Sequence, residues 1–98
     1  MRTIHKHTLD VRDTATWRIE LHEGAKLLHV DVQDNRNVFV QTWWEVETDR
    51  PVVTRAFRVA GTGEPLPQHC HHIGTALGAP FVWHLYEYAE LPQLSAKG

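Results

Sequence analysis

Apolar residues in this chain recur at every second position, and that period dictates strands with one buried face rather than amphipathic helices. Trp17, Ile19 and Leu21 alternate with Arg18 and Glu20, and Leu28, Val30 and Val32 alternate with His29, Asp31 and Gln33. The connector between these runs, residues 22–26, is turn-sized. A third run, Val38, Val40, Thr42, Trp44 and Val46, follows the polar stretch Asp34–Asn37, whose residues favour turns, so residues 27–47 read as a β-hairpin. Val53, Phe57 and Val59 continue the pattern after Pro51, with Thr54 and Arg58 facing outward.

Two glycines and two prolines between Gly61 and Pro67 oppose both helix and ladder, so that segment is a loop. Beyond it, Ile73–Leu77 and Phe81–Tyr88 form a final strand pair joined by Gly78, Ala79 and Pro80, and residues 2–9 add one more strand. No window shows a helical period, although Pro67–His72 has room for one helical turn. The expected fold is all-β, a compact antiparallel sandwich or partly open barrel of about seven strands. One β domain is expected over residues 1–90, followed by a flexible tail at 91–98, where the periodic signal ends.

Composition bounds the function classes. With 42% hydrophobic and 22% charged residues, the 98-residue chain has the make-up of a folded domain and not of a disordered segment. The formal net charge is −2 and the basic residues are interleaved with acids, which argues against a nucleic-acid binder, since that needs a concentrated basic face. Cys70 is the only cysteine, so no intrachain disulfide forms and a reducing compartment is expected, with the cytoplasm as the default location. Neither a signal-peptide apolar segment nor a run of ~20 apolar residues is present, so no membrane association is expected.

Each candidate chemical motif has a plainer reading beside it. His69, Cys70, His71 and His72 offer imidazole and thiolate ligands suited to zinc or another transition metal. Their contiguity fits poorly, because adjacent residues of an extended segment point opposite ways, and the plainer reading is a polar loop bearing histidines. No cofactor is therefore expected. Cys70 beside a histidine is not a nucleophile–base pair by adjacency alone, since the fold must place and orient the base. Ser95, the only serine, lies in the expected tail. Gly61-Thr62-Gly63 lacks the second half of a phosphate loop and reads as a tight turn after a strand. Glu20, Asp31, Glu45 and Glu47 fall on outward strand faces and do not converge, so paired-acid catalysis finds no support.

The aromatic surplus is more informative. Trp44 shares the parity of Val38, Val40 and Val46, whereas Phe39 and Trp43 point to the opposite face. On the last strand Phe81, Trp83 and Leu85 take one side and Val82, His84 and Tyr86 the other. Strands apolar on both faces mark either a second covering layer or a contact surface, where aromatic residues commonly act as anchors. Phe39, Trp43, Val82, His84 and Tyr86 are accordingly the candidate interface residues.

Several segments, in order along the chain, carry a family resemblance: Met1-Arg2-Thr3-Ile4-His5-Lys6, Gly24–Val30, the run from Arg55 to Pro67 containing Phe57-Arg58-Val59-Ala60-Gly61-Thr62-Gly63, Ile73-Gly74-Thr75, and Val82–Glu87. Together they resemble a family of small uncharacterised proteins of bacteriophages and their bacterial hosts, over roughly residues 1–90. The resemblance implies a compact β fold and a phage accessory setting, and it brings no assigned catalytic or binding residue. The chain departs from that pattern at the aromatic pair Trp43-Trp44 and at the histidine-rich segment 68–72. The function expected from all this is non-enzymatic: protein–protein interaction, by self-association as a homodimer or higher oligomer, or by docking to a host or phage protein. The alternatives are a metal- or ligand-binding β domain built on His69–His72 and a minor virion component.

Overall fold

In a computed structural model that describes residues 1–12, 16–32, 38–78 and 81–92, the period-two runs become strands of two packed sheets. The strands are β1 (Arg2–Asp10), β2 (Thr16–His22), β3 (Lys26–Val32), β4 (Phe39–Glu47), β5 (Val52–Gly61), β6 (Cys70–Gly78) and β7 (Phe81–Tyr88). One sheet has the order β1-β4-β3 and the other β2-β5-β7-β6, with every pair antiparallel. The chain changes sheet between β1 and β2, between β2 and β3, and between β4 and β5, which interlocks the layers. The sheets do not close into a barrel, so of the two expected architectures the sandwich is the one formed. The expected turn at Asp34–Asn37, the Ala79-Pro80 connector and most of the expected tail, residues 93–98, lie outside the described residues.

Alternation places the core. On β4 the side chains of Val40, Thr42, Trp44 and Val46 are buried, and on β5 those of Phe57 and Val59 face them from the other sheet. Trp44 and Phe57 bridge the layers with ring centroids 5.4 Å apart. Thr42, a fully buried hydroxyl on this apolar face, accepts a hydrogen bond from Trp44 Nε1 at 2.8 Å and donates to the His7 carbonyl at 3.1 Å. Both polar groups are thus satisfied where leaving one unpaired would cost about 1–3 kcal/mol.

Two strands depart from the sequence expectation. β3 carries a bulge between Leu27 and His29, so Leu27 faces the core and Leu28 stands outside it, 44% exposed. An extra residue in one strand reverses the parity of what precedes it, and the Leu28-Val30-Val32 alternation fails for that reason. β6 begins at Cys70, where a loop or helical turn was expected, because pairing with β7 extends back to Cys70 opposite Tyr88. It too is bulged, between His72 and Gly74. At Gly74 the edge strands β3 and β6 approach so closely that a Cβ would lie 2.6 Å from Val30 Cγ2.

A charged pair sits on the inner face. Arg55 shares the parity of Val53, Phe57 and Val59, and its guanidinium lies over the rings of Trp44 and Phe57, 5.1 and 5.8 Å from their centroids. It donates to both carboxylate oxygens of Glu87 on β7, at 2.6 and 2.8 Å, and to the Ala25 carbonyl at 2.7 Å. The fork geometry of guanidinium against carboxylate lets one residue close three acceptors at the end of the core. Among the described residues no helix is long and apolar enough to cross a membrane.

Candidate functional site

The sandwich has two outer faces, and the sequence-derived interface residues divide between them. Phe39 and Trp43 lie on the outside of the β1-β4-β3 sheet, opposite the buried residues of β4. Neither ring is bare: Lys6 Nζ stands 5.4 Å from the Trp43 centroid, His29 packs at 5.6 Å, and the Arg12 guanidinium lies 5.2 Å from the Phe39 centroid. Long cationic side chains from neighbouring strands cover aromatic surface with their stems while keeping their charge in water. Val82, His84 and Tyr86 lie on the outside of the other sheet, with the core between the two groups. The carboxylates Asp31, Glu45 and Glu47 are on the first outer face and Glu20 on the second, so they do not converge.

The histidine-rich segment is spread by the pleat of β6. His69 precedes the strand with a positive φ of 61°, and Cys70 donates its Sγ hydrogen to the Pro67 carbonyl at 3.1 Å. Cys70 and His72 face outward, while His71 lies opposite Glu87 on the inner side. Among the described residues no group of three or more His, Cys, Asp or Glu side chains is placed to hold a metal ion.

His72 instead joins a chain of hydrogen bonds on the outer face. Its Nε2 is 2.7 Å from Thr75 Oγ1, which lies 3.2 Å from His84 Nδ1, and His84 Nε2 is 3.0 Å from Thr62 Oγ1. Tyr86 packs edge-on against His72 with centroids 5.4 Å apart. A hydroxyl–imidazole pair becomes nucleophilic machinery when a further group, commonly a carboxylate, orients the base. Here both ring nitrogens of His84 meet threonine hydroxyls, so the ring ties β6 and β7 to the loop after β5.

That loop shapes the surface. The Glu64 amide donates to the Gly61 carbonyl at 3.1 Å, closing the expected tight turn with Gly63 at a φ of 93°. The Glu64 carboxylate folds back to accept the Gly61 amide at 2.7 Å. Two clefts flank the turn. One, of about 180 Å³, runs between the loop and His84 and Tyr86, with Leu66 on its wall. The other, of about 500 Å³, is lined by Gly61, Thr62, Glu64, Phe81, Val82 and Trp83.

At this end of the sandwich the β6–β7 hairpin projects its apolar residues. Leu77 is 75% exposed on the outer face beside its cross-strand neighbour Val82, and Phe81 is 50% exposed and stacked on Trp83 with centroids 5.5 Å apart. Leu66, on the loop after β5, is also exposed and lies beside His84 and Tyr86. Sequence reading found Val82, His84 and Tyr86 but not Leu77, Phe81 or Glu64. Phe81 and Trp83 have core parity, and only their position at the last rungs of the ladder, Gly61 opposite Trp83 and Gly78 opposite Phe81, leaves them at the rim.

A family model described as a domain of unknown function matches residues 1–94. No curated protein and no solved structure matches the chain.

Proposed function

Since the chain belongs to the DUF7352 family, whose function is unknown, we propose that it is a non-enzymatic binding protein that docks onto another protein through the sandwich end formed by the β6–β7 hairpin and the Gly61–Pro67 loop. The observation that carries this reading is the exposure of Leu77 at 75% and Phe81 at 50% in one hairpin, with Val82 opposite Leu77 and Leu66 exposed on the loop after β5. Burying an apolar side chain of this size contributes up to ~1.5–3 kcal/mol, so two or three anchors offset much of the entropic cost of association. The Trp43 face is a weaker candidate, because Lys6, His29 and Arg12 already occupy its aromatic surface. The resemblance of the Phe57–Gly63 run to bacteriophage proteins makes an accessory role in phage-infected bacteria the setting of this docking.

A photoreactive residue placed at position 77, in the cell where the protein is made, tests the reading. The expected result is one dominant crosslinked protein, absent when the photoreactive residue stands at Glu20 on the same outer face. Equal, dispersed crosslinking from both positions refutes it. Light scattering of the purified protein, alone and with Leu77→Asp, then tells whether the partner is a second copy.

A further inference from the structure

We propose that Arg58, on the outer face of the β2-β5-β7-β6 sheet, binds the carboxylate of a glutamate or aspartate in a protein segment lying on that face; this rests on the docking role above and names the chemistry of the partner. Every other arginine among the described residues has an acceptor. Arg2 pairs with Glu45, Arg12 with Asp10, Arg50 with Glu23 and Arg55 with Glu87, while Arg18 donates to the Pro92 carbonyl. Arg58 has no acceptor among the described residues, and its Nε is buried without a hydrogen-bond partner. The ladder shows why. Arg58 stands opposite Thr16 on β2 and Tyr86 on β7, and the next outward residues of β5, Ala56 and Ala60, are buried alanines. Glu20 is the one carboxylate that the four strands place on this face, and it stands opposite Thr54, four residues along β5 and roughly 13 Å away at the rise of a strand.

A guanidinium partly withdrawn from water and left without a counter-ion costs stability, so the fold itself gains nothing from a charge at this position. The planar fork of its terminal amino groups matches a carboxylate, which supplies both the opposite charge and two acceptors. Phosphate fits less well, because β5 is paired on both sides at Arg58 and its amides are committed to the ladders, so no amide cradle stands beside the cation. The face also sets the spacing within the partner. Val82, across from the exposed Leu77, lies four residues along β7 from Tyr86, so a segment extended along β7 runs from its apolar anchor to Arg58 in about four residues.

The test is nuclear magnetic resonance titration of the full chain with capped pentapeptides Gly-Gly-Xaa-Gly-Gly, where Xaa is glutamate or glutamine, and with inorganic phosphate. The glutamate peptide should shift the Arg58 Nε–H and Tyr86 amide signals saturably, at least about tenfold more tightly than the glutamine peptide, because it alone brings a charge to the fork. Arg58→Met keeps the aliphatic stem and removes the cation. Read from the Tyr86 amide, it should bring the glutamate peptide down to the level of the glutamine one, while the unliganded variant melts at or above the temperature of the parent. Arg2→Gln, which removes a cation from the other outer face, should leave binding unchanged. Equal binding of the two peptides, tighter binding of phosphate, or a clearly lower melting temperature in Arg58→Met, which would give the cation a role in the fold, overturns the proposal. Because these peptides probe Arg58 alone, such a result leaves the crosslinking at position 77 standing as a separate measure of docking.

Discussion

Replacing Glu87 with glutamine should lower stability by about 2 kcal/mol, and the size follows from what is left behind. Arg55 and Glu87 are 23% and 14% exposed at their side chains, joined by hydrogen bonds of 2.6 and 2.8 Å. Breaking a fully buried ion pair by removing one partner costs ~3–5 kcal/mol, because the remaining charge is stranded. Here Arg55 keeps nearly a quarter of its surface in water, the Ala25 carbonyl and two aromatic faces, which brings the cost below that range, to about 2 kcal/mol. Arg55→Met strands the less exposed carboxylate and should cost more, about 3 kcal/mol. The double variant Arg55→Met with Glu87→Leu strands nothing and should fall within about 1 kcal/mol of the parent, since buried ion pairs exchanged for apolar groups are often neutral. The assay is urea unfolding followed by tryptophan fluorescence, with thermal melts in parallel; at roughly 4–8 °C per kcal/mol for a domain of this size, Glu87→Gln should melt about 8–16 °C lower. A shift under about 2 °C, or a double variant as unstable as the sum of the singles, refutes the interior placement of the pair.

Two further outcomes test other parts of the sandwich. Gly74→Ala should destabilise by about 1–3 kcal/mol through overpacking against Val30, and adding Val30→Ala should recover part of that loss, as read from urea midpoints. His7 lies on the inner side of β1, where burial first and the neighbouring charge of His5 second push its pKa below 6.5. The unfolded chain therefore binds the proton more readily, so the stabilising contribution is full above pH 6.5, declines as pH falls towards the folded pKa, and is absent below it. Urea midpoints at pH 7.5 and 5.5 should differ less in His7→Gln than in the parent; an unchanged difference refutes this account.

The faces of β2, β4, β5 and β7 were legible because side-chain direction in a strand is fixed by covalent geometry and needs no knowledge of the partner strand. That is why Trp43 and Trp44, adjacent and identical, could be assigned to opposite sides. The bulge at Leu28 was not legible, since Leu27 and Leu28 are interchangeable as core residues and only contact with β4 selects between them. The start of β6 was hidden for a related reason. Cys70, His71 and His72 show no apolar alternation, and they become strand by pairing with β7 across a register that local sequence does not encode. Arg55 had left a signal: a charge at core parity on β5, matched by Glu87 at core parity beside Leu85 and Trp83 on β7. Two opposite charges that both break an apolar face call for each other, because neither is tolerable there alone.

The docking surface demanded more than parity. Its side chains come from three segments, Glu64 after β5, Leu77 near the end of β6, and Phe81 with Trp83 at the start of β7. Each has an innocent meaning by itself: a turn acid, a strand leucine, core aromatics. They meet because β5 pairs with β7 up to Gly61 opposite Trp83, and β6 with β7 up to Gly78 opposite Phe81, so both ladders end at the same rim. A strand interior buries residues of core parity, as at Leu85, whereas at the end of the ladder the same parity leaves Phe81 half exposed. Exposure is therefore set by where the ladder stops. This is also why the turn matters: Gly61 stands at the last β5–β7 rung, opposite Trp83, and its amide fixes the Glu64 carboxylate in the cleft that Phe81 also lines.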